Sequence, residues 1–163
     1  MEAMKMAIQI KQVDPLQNRD LLQLISSLDQ YLFERYPTDE VFGVDFSDPS
    51  IKDTIFMIAY DGERAAGCGA IRPIRTDAVE LKRFFVEPEY RQQGIGALIL
   101  SRLEELAREL NYNILRLETG AEQPESITFY KKHGYYEIER YGEYANCESS
   151  LCYEKRLSSD YVS

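Results

Sequence analysis

The chain has 163 residues, 44% of them hydrophobic, which suits one domain that buries roughly two thirds of its unfolded surface without staples. Its 19 Lys and Arg against 28 Asp and Glu give a net charge of −9 with no basic cluster, which excludes nucleic acid and anionic membranes as partners and favours cationic substrates such as amines. Cys68, Cys147 and Cys152 lack any C-x-x-C spacing and His133 is the single histidine, so zinc, redox-cysteine and multi-histidine metal sites are excluded and a reducing cytoplasm fits best.

Ala7 to Val13 alternates, with Ile8 and Ile10 set against Gln9 and Lys11, and reads as a first strand. Neither Met1 to Lys5 nor any later run, such as Ile95 to Leu100, is apolar for long enough to span a bilayer, so a soluble, unexported protein is expected. Asp14-Pro15 offers an N-cap and first-turn proline to a helix running to about Arg35, with Leu21, Leu24, Ile25, Leu28 and Leu32 at helical spacing. Thr38 to Asp53 loses periodicity. It reads as a loop with room for a short helix, either bordering an acceptor pocket or merely variable.

Thr54 to Tyr60 and Arg64 to about Ile74 are strands joined at Asp61-Gly62, a type I′ hairpin signal, and Thr76-Asp77 turns the chain into a third, Val79 to Val86. Cys68, between Gly67 and Gly69, marks close packing there. A helix from Ala97 to Leu110 follows, with Ile95, Ile99, Leu103, Leu106 and Leu110 on one face. Asn113 to Glu118 is the next strand, reached through a helix and therefore expected parallel to its predecessor. Pro124 opens a short helix through His133, closed by Gly134, where His133 serves as a helix-end donor. Tyr135 to Tyr141 and Ser150 to Lys155 close the chain as an antiparallel pair, with a frayed tail after Leu157. The order β-α-β-β-β-α-β-α-β-β predicts an α/β fold of α+β character: one domain over residues 1–163, a mixed sheet with helices on both faces.

The informative stretch is Val86-Glu87-Pro88-Glu89-Tyr90-Arg91-Gln92-Gln93-Gly94-Ile95-Gly96, a strand end, a basic glycine-bearing turn and a helix start. Such a turn aims unpaired N–H groups outward where the helix dipole favours negative charge, and two glycines let a bulky anion reach the main chain. A Walker loop is absent, since Ala97 and Leu98 stand where Lys-Ser/Thr would follow. A dinucleotide fingerprint fails too, because Ile99 occupies the third glycine position and the turn is too long. The remaining pattern, R-x-x-G-x-G, resembles the acetyl-coenzyme A signature of the GNAT superfamily of N-acetyltransferases. Ser126-Ile127-Thr128-Phe129-Tyr130-Lys131-Lys132-His133-Gly134-Tyr135 is similar to that superfamily's other hallmark, with Ser126 where alanine is common. Leu117-Glu118-Thr119-Gly120 with Gln123-Pro124-Glu125 also resembles a bacterial subgroup of it.

The resemblance implies a GNAT-like acyl-CoA N-acyltransferase fold, splayed between its fourth and fifth strands, with acetyl-CoA as co-substrate in the opening. It implies that backbone groups of Phe84, Phe85 and Val86 face the pantetheine, that amides from Arg91, Gln92, Gln93, Gly94, Ile95 and Gly96 hold the pyrophosphate, and that Tyr130 is the general acid. Gln123 departs from the asparagine many relatives use to contact the cofactor. An alkylammonium with a pKa of about 10.4 must lose a proton before it attacks a thioester, so a base is needed. Glu80 matches the base position of the histone-acetylating branch, although an ion pair with Lys82 on the same strand face is the plainer reading. Tyr130 has a plainer reading too, as a buried aromatic beside Ile127. Tyr135, Tyr136, Tyr141, Glu143 and Tyr144 either cradle a cationic amine or are ordinary strand residues. The expected activity is acetyl transfer to a primary amine of a small molecule or peptide; the alternative is a non-catalytic CoA-binding sensor or interaction module, and a homodimer is left open.

Overall fold

The computed structural model describes residues 7–157, so the expected frayed tail lies outside the described residues. Its elements are β1 (Ile8–Val13), α1 (Arg19–Phe33), β2 (Ile55–Asp61), β3 (Arg64–Pro73), β4 (Ala78–Val86), α2 (Ile95–Glu109), β5 (Ile114–Gly120), α3 (Pro124–Lys132), β6 (Tyr136–Ile138) and β7 (Ser150–Arg156). They form one seven-stranded mixed sheet in the order β1-β2-β3-β4-β5-β7-β6, in which only the β4–β5 pair is parallel.

The helices take opposite faces because strand residues alternate. Leu21, Leu24, Ile25 and Leu28 of α1 pack with Phe56, Ile58, Cys68 and Phe85, while Ile95, Ile99, Leu103 and Ala107 of α2 pack with Met57, Ala59, Val79 and Leu81. Each fully buried leucine or isoleucine in these layers contributes about 1.5–3 kcal/mol. Under α2, glycines clear the way. A Cβ on Gly67 would stand 2.7 Å from the Phe85 carbonyl oxygen, and one on Gly69 would stand 3.0 Å from Leu103.

Three local expectations change. Asn18 caps α1 by accepting from the Leu21 N–H, whereas Asp14 accepts from the Leu16 N–H two residues on, so Asp14-Pro15 makes a turn ahead of the helix. In the β2–β3 hairpin Gly62 takes φ +63° but Glu63 is not left-handed, so the two positive φ values of a type I′ turn are absent. Leu110 ends α2 as its C-cap and is 45% exposed; Leu100 and Ala107 complete the buried stripe instead. The Thr38–Asp53 loop contains two short 3₁₀ turns, Thr38–Glu40 and Pro49–Asp53.

The sheet opens in its middle. β4 and β5 pair only at Ala78↔Ile114, Val79↔Leu115 and Glu80↔Arg116, after which β4 stays with β3 and β5 stays with β7 along its whole length. Arg83, at φ +53°, sits in a β3–β4 register shift, and a bulge of this kind bends its strand and sharpens the twist. The two strands therefore diverge beyond Glu80, and the extra residue leaves Lys82 and Arg83 both toward the α1 face.

Candidate active site

The opening between β4 and β5 holds a cavity of about 110 Å³. Leu28, Leu32 and Tyr36 line it from α1 and its exit, Glu40 to Phe42 from the long loop, Leu81 to Phe84 from β4, Leu117 to Gly120 from β5, and Gln123, Ser126 and Tyr130 around α3. The loop after α1 thus borders the cavity.

At its mouth the turn after β4 meets α2. Gln92 and Gly94 are both left-handed, at φ +62° and +84°, and no side chain caps the helix, so the first-turn amides keep their donors. A Cβ on Gly94 would meet nothing within 4 Å, and one on Gly96 would sit in ordinary 3.5 Å contact with Phe84 and Phe129. Packing therefore does not require the missing side chain of Gly96, although glycine within a helix costs roughly 0.5–1 kcal/mol relative to alanine. Uncrowded amides, a positive dipole end and two bare α-carbons fit a pyrophosphate. Ile95 itself is 1% exposed and anchors α2 in the core, so only its amide can take part. The Arg91 side chain folds back, donating from Nε to the Val86 carbonyl at 2.9 Å, with its guanidinium over the Phe85 and Tyr31 rings.

Tyr130 is 6% exposed, its ring boxed by Phe84, Phe129 and Tyr135. Tyr130 lines the cavity, its hydroxyl makes no hydrogen bond among the described residues, and burial, with a smaller push from the Glu118 charge, raises its pKa well above the ordinary phenol value. The bulge at Arg83 turns Phe84 to the α3 side, where it meets both Phe129 and Tyr130. Phe85 points the other way into the α1 core.

Glu80 is 1% exposed and lies behind the cavity. Its carboxylate accepts from Arg72, across on β3, at 2.9–3.0 Å and from the Tyr141 hydroxyl at 2.6 Å. The ion pair expected with Lys82 does not form; both residues share a face, but the cross-strand Arg72 takes the carboxylate. Lys82 instead donates to the Tyr144 hydroxyl at 2.9 Å and the Phe42 carbonyl at 3.4 Å. Burial lowers its pKa, against the opposing pull of Glu80.

Glu118, within the Leu117–Gly120 motif, is given no chemical role by local sequence pattern. It stands in the cavity wall on β5, accepting from the Ser150 hydroxyl at 2.7 Å. Burial raises its pKa, only partly countered by Ser150 and Lys82. Tyr36 is a second surprise: its hydroxyl accepts from the Glu122 N–H at 3.1 Å and occupies the place of a Cβ on Gly120, 1.7 Å away. Only glycine fits there, and Leu-Glu-Thr-Gly was the visible trace of it. Gln123 turns its oxygen inward, accepting from the Gly120 N–H at 3.1 Å and the Tyr36 hydroxyl at 3.4 Å.

The proposed tyrosine cluster splits. Tyr141 and Tyr144 pack edge to face beside Glu80 and Lys82, but Tyr135 donates to Glu104 at 2.7 Å beneath α2 and Tyr136 to Glu154 at 2.7 Å. Cys68, fully buried, has its thiol pushed up to about 12 and donates to the Arg83 carbonyl; burial also raises Cys152, to about 11. Among the described residues no His, Cys, Asp and Glu gather as a metal site, and no helix is long and apolar enough to cross a membrane.

Known proteins are similar to this chain in sequence and in fold. An IAA acetyltransferase of Azospirillum brasilense is 36% identical over 152 residues, covering 92% of this chain and 98% of that protein. A Klebsiella pneumoniae protein assigned as an acyl-CoA N-acyltransferase superposes with a TM-score of 0.82 at 28% identity, over 93% of this chain and 99% of that one. The PaiA N-acetyltransferase of Thermoplasma acidophilum, solved with coenzyme A, shares the fold at a TM-score of 0.67 and 20% identity, over 93% of this chain and 99% of its own. The sequence model of the acetyltransferase (GNAT) family matches residues 18–135. With most of its length so matched, the chain belongs to the GNAT family of acetyltransferases.

Proposed function

We propose that this protein transfers acetyl from acetyl-CoA directly to a primary amine, with Glu118 as general base and Tyr130 as general acid, and that its 163 residues form one such domain. The observation that carries this reading is the pairing of two incompletely hydrogen-bonded groups of opposite proton role in one cavity. Among the described residues, Glu118 has one oxygen bonded by Ser150 and the other without a protein donor, and the Tyr130 hydroxyl makes no hydrogen bond.

Acetyl-CoA supplies an activated acyl thioester. First-turn amides of α2 and the turn from Arg91 to Gly96 would hold its diphosphate, and the β4 edge at Phe84 to Val86, unpaired toward β5, offers main-chain groups to the pantetheine arm. Gln123 keeps its oxygen on Gly120, leaving only its amide nitrogen for the cofactor. Glu118 takes the proton from the acceptor ammonium, freeing the lone pair. As the C–N bond forms and the C–S bond breaks, Tyr130 gives its proton to the departing sulfur, and the second proton of the now cationic nitrogen restores the phenol, leaving a neutral amide, a free thiol and a protonated Glu118 that returns its proton to solvent. A raised carboxylate pKa suits the first task, and a raised phenol pKa keeps the proton on Tyr130 until sulfur carries charge. Both carboxylate oxygens of Glu80 are already engaged, so its part is to hold Arg72 and Tyr141 in place.

The test is free-thiol release from acetyl-CoA with an amine panel, run for the parent chain and Glu118→Gln. Amine-stimulated release that falls roughly 100-fold in the variant supports the reading. Coenzyme A binding without amine-stimulated release overturns it in favour of a sensor or interaction module.

A further inference from the structure

Two buried cations, Lys82 and Arg83, and a half-buried one, Arg72, lie on the α1 side of β3 and β4, and they are compensated unequally. Arg72 has Glu80 at 2.9 Å and Arg83 has Asp29 at 2.8 Å. Lys82, with its side chain 4% exposed, has no carboxylate nearer than Glu143 at 3.9 Å among the described residues, and Glu143 is 46% exposed and held at 3.2 Å by Arg72. A buried ammonium carries three donors and a large desolvation cost, and a hydroxyl plus one long bond to a carbonyl cover neither fully.

The position of Lys82 indicates what would. Glu80↔Arg116 is the last rung between β4 and β5, so Lys82 and Glu118 stand two residues further on, facing each other across the opening from the same side of the sheet. Both line the cavity, each feels the other's charge, and no ion pair joins them. One wall is therefore positive and the other negative.

We propose that the acceptor is a small zwitterionic amino acid whose carboxylate docks on Lys82 while its amino group is presented to Glu118. This inference rests on the acetyl-transfer reading above. Opposite charges only a few bonds apart in one compact molecule complement both walls at once, whereas a simple amine leaves Lys82 uncompensated. A single negative charge fits better than two: Glu40 and Glu118 also line the cavity and Glu143 lies beside Lys82, so a phosphonate dianion meets repulsion.

The experiment compares kcat/KM for matched acceptors on the full chain: α-amino acids, their carboxamides, the corresponding decarboxylated amines and aminophosphonates. Amino acids are expected to exceed carboxamides about 30-fold or more, chiefly through KM, and Lys82→Met is expected to erase that ratio while Lys82→Arg retains part of it. Calorimetric titration with coenzyme A reports separately on whether each variant is folded. Equal turnover of amino acids and carboxamides by the parent chain overturns the zwitterion assignment but leaves acetyl transfer standing. A preference for aminophosphonates overturns the single-charge argument, and a preference that survives in Lys82→Met removes Lys82 from the role. Coenzyme A binding with no amine turnover overturns this inference together with the reading beneath it.

Discussion

Glu104 is a buried carboxylate on one face of the sheet and Glu118 a half-buried one on the other, and their surroundings differ in completeness. Glu104, on α2, receives Lys155 on both oxygens at 3.0 and 3.1 Å and the Tyr135 hydroxyl at 2.7 Å, with Arg108 at 4.0 Å. Among the described residues Glu118 receives one hydroxyl, from Ser150, and no ion pair joins it to the Lys82 ammonium across the cavity. A saturated ionic cluster can only hold structure together, whereas an unsaturated one leaves valence for a ligand or a proton. On the α2 face Glu104 serves the fold; on the α1 face Glu118 is left partly unpaired.

The sharpest way to break that contrast is at the unsaturated side. Tyr130→Phe removes one oxygen that makes no hydrogen bond among the described residues, so folding and coenzyme A binding should survive, while amine-stimulated thiol release is expected to drop by about 100-fold to 10,000-fold. Steady-state kinetics beside a thermal melt would show it. An unaltered kcat would return Tyr130 to the role of a packed aromatic.

Glu118→Gln comes next, at about 100-fold in kcat/KM, and it carries a pH signature. Burial raises the Glu118 pKa, so the acid limb of the rate profile should lie above the ordinary carboxylate range, rising with pH as the base ionises; the variant should lose that limb. The stability sign is the reverse. A folded-state pKa above the unfolded value contributes stability that is present at low pH and lost as pH rises through the folded pKa, so the parent chain is strained at neutral pH. Glu118→Gln should therefore melt higher than the parent at neutral pH and lose that advantage in acid, as scanning calorimetry across pH would record.

On the saturated side the outcome inverts. Glu104→Ala strands Lys155 and Tyr135 and is expected to cost about 2–3 kcal/mol of stability, seen as a lower denaturation midpoint. Turnover below that midpoint should stay within about twofold of the parent, since nothing in the cavity touches Glu104.

Sequence alone carried the strand and helix order, the parallel β4–β5 pair and the glycine turn that opens α2, because each rests on local pattern: period two, period 3.6, proline after a strand, glycine before a helix. Glu118 and Tyr36 escaped it, since their roles depend on what faces them from distant parts of the chain. Tyr36 meets Gly120 and Glu122 across 84 and 86 positions, and Glu118 meets Ser150 across 32. The same limit explains the wrong partner for Glu80: alternation gives a side chain's face, but only register gives its neighbour, and register put Arg72 opposite. The tyrosines from 135 to 144 looked like one cluster because they are close in sequence, yet alternation and the turn after β6 send them to different faces.

The smallest effect separates the two uses of the main chain at the start of α2. Gly96 is helical and bears no positive φ, and an added Cβ would meet Phe84 and Phe129 at 3.5 Å, an ordinary contact. On fold grounds alone Gly96→Ala should stabilise the free protein by about 0.5–1 kcal/mol through helix propensity and a less disordered unfolded chain. If the bare α-carbon exists for close approach of a diphosphate, the same methyl should weaken coenzyme A binding by about tenfold, since it stands between the ligand and the amides. A melt of the free protein and a calorimetric titration would thus move in opposite directions. Gly94→Ala provides the contrast, because its φ of +84° disfavours any side chain and costs stability whether or not a ligand is present. Were Gly96→Ala to raise the melting temperature and leave coenzyme A affinity untouched, the cradle would lie elsewhere along the turn.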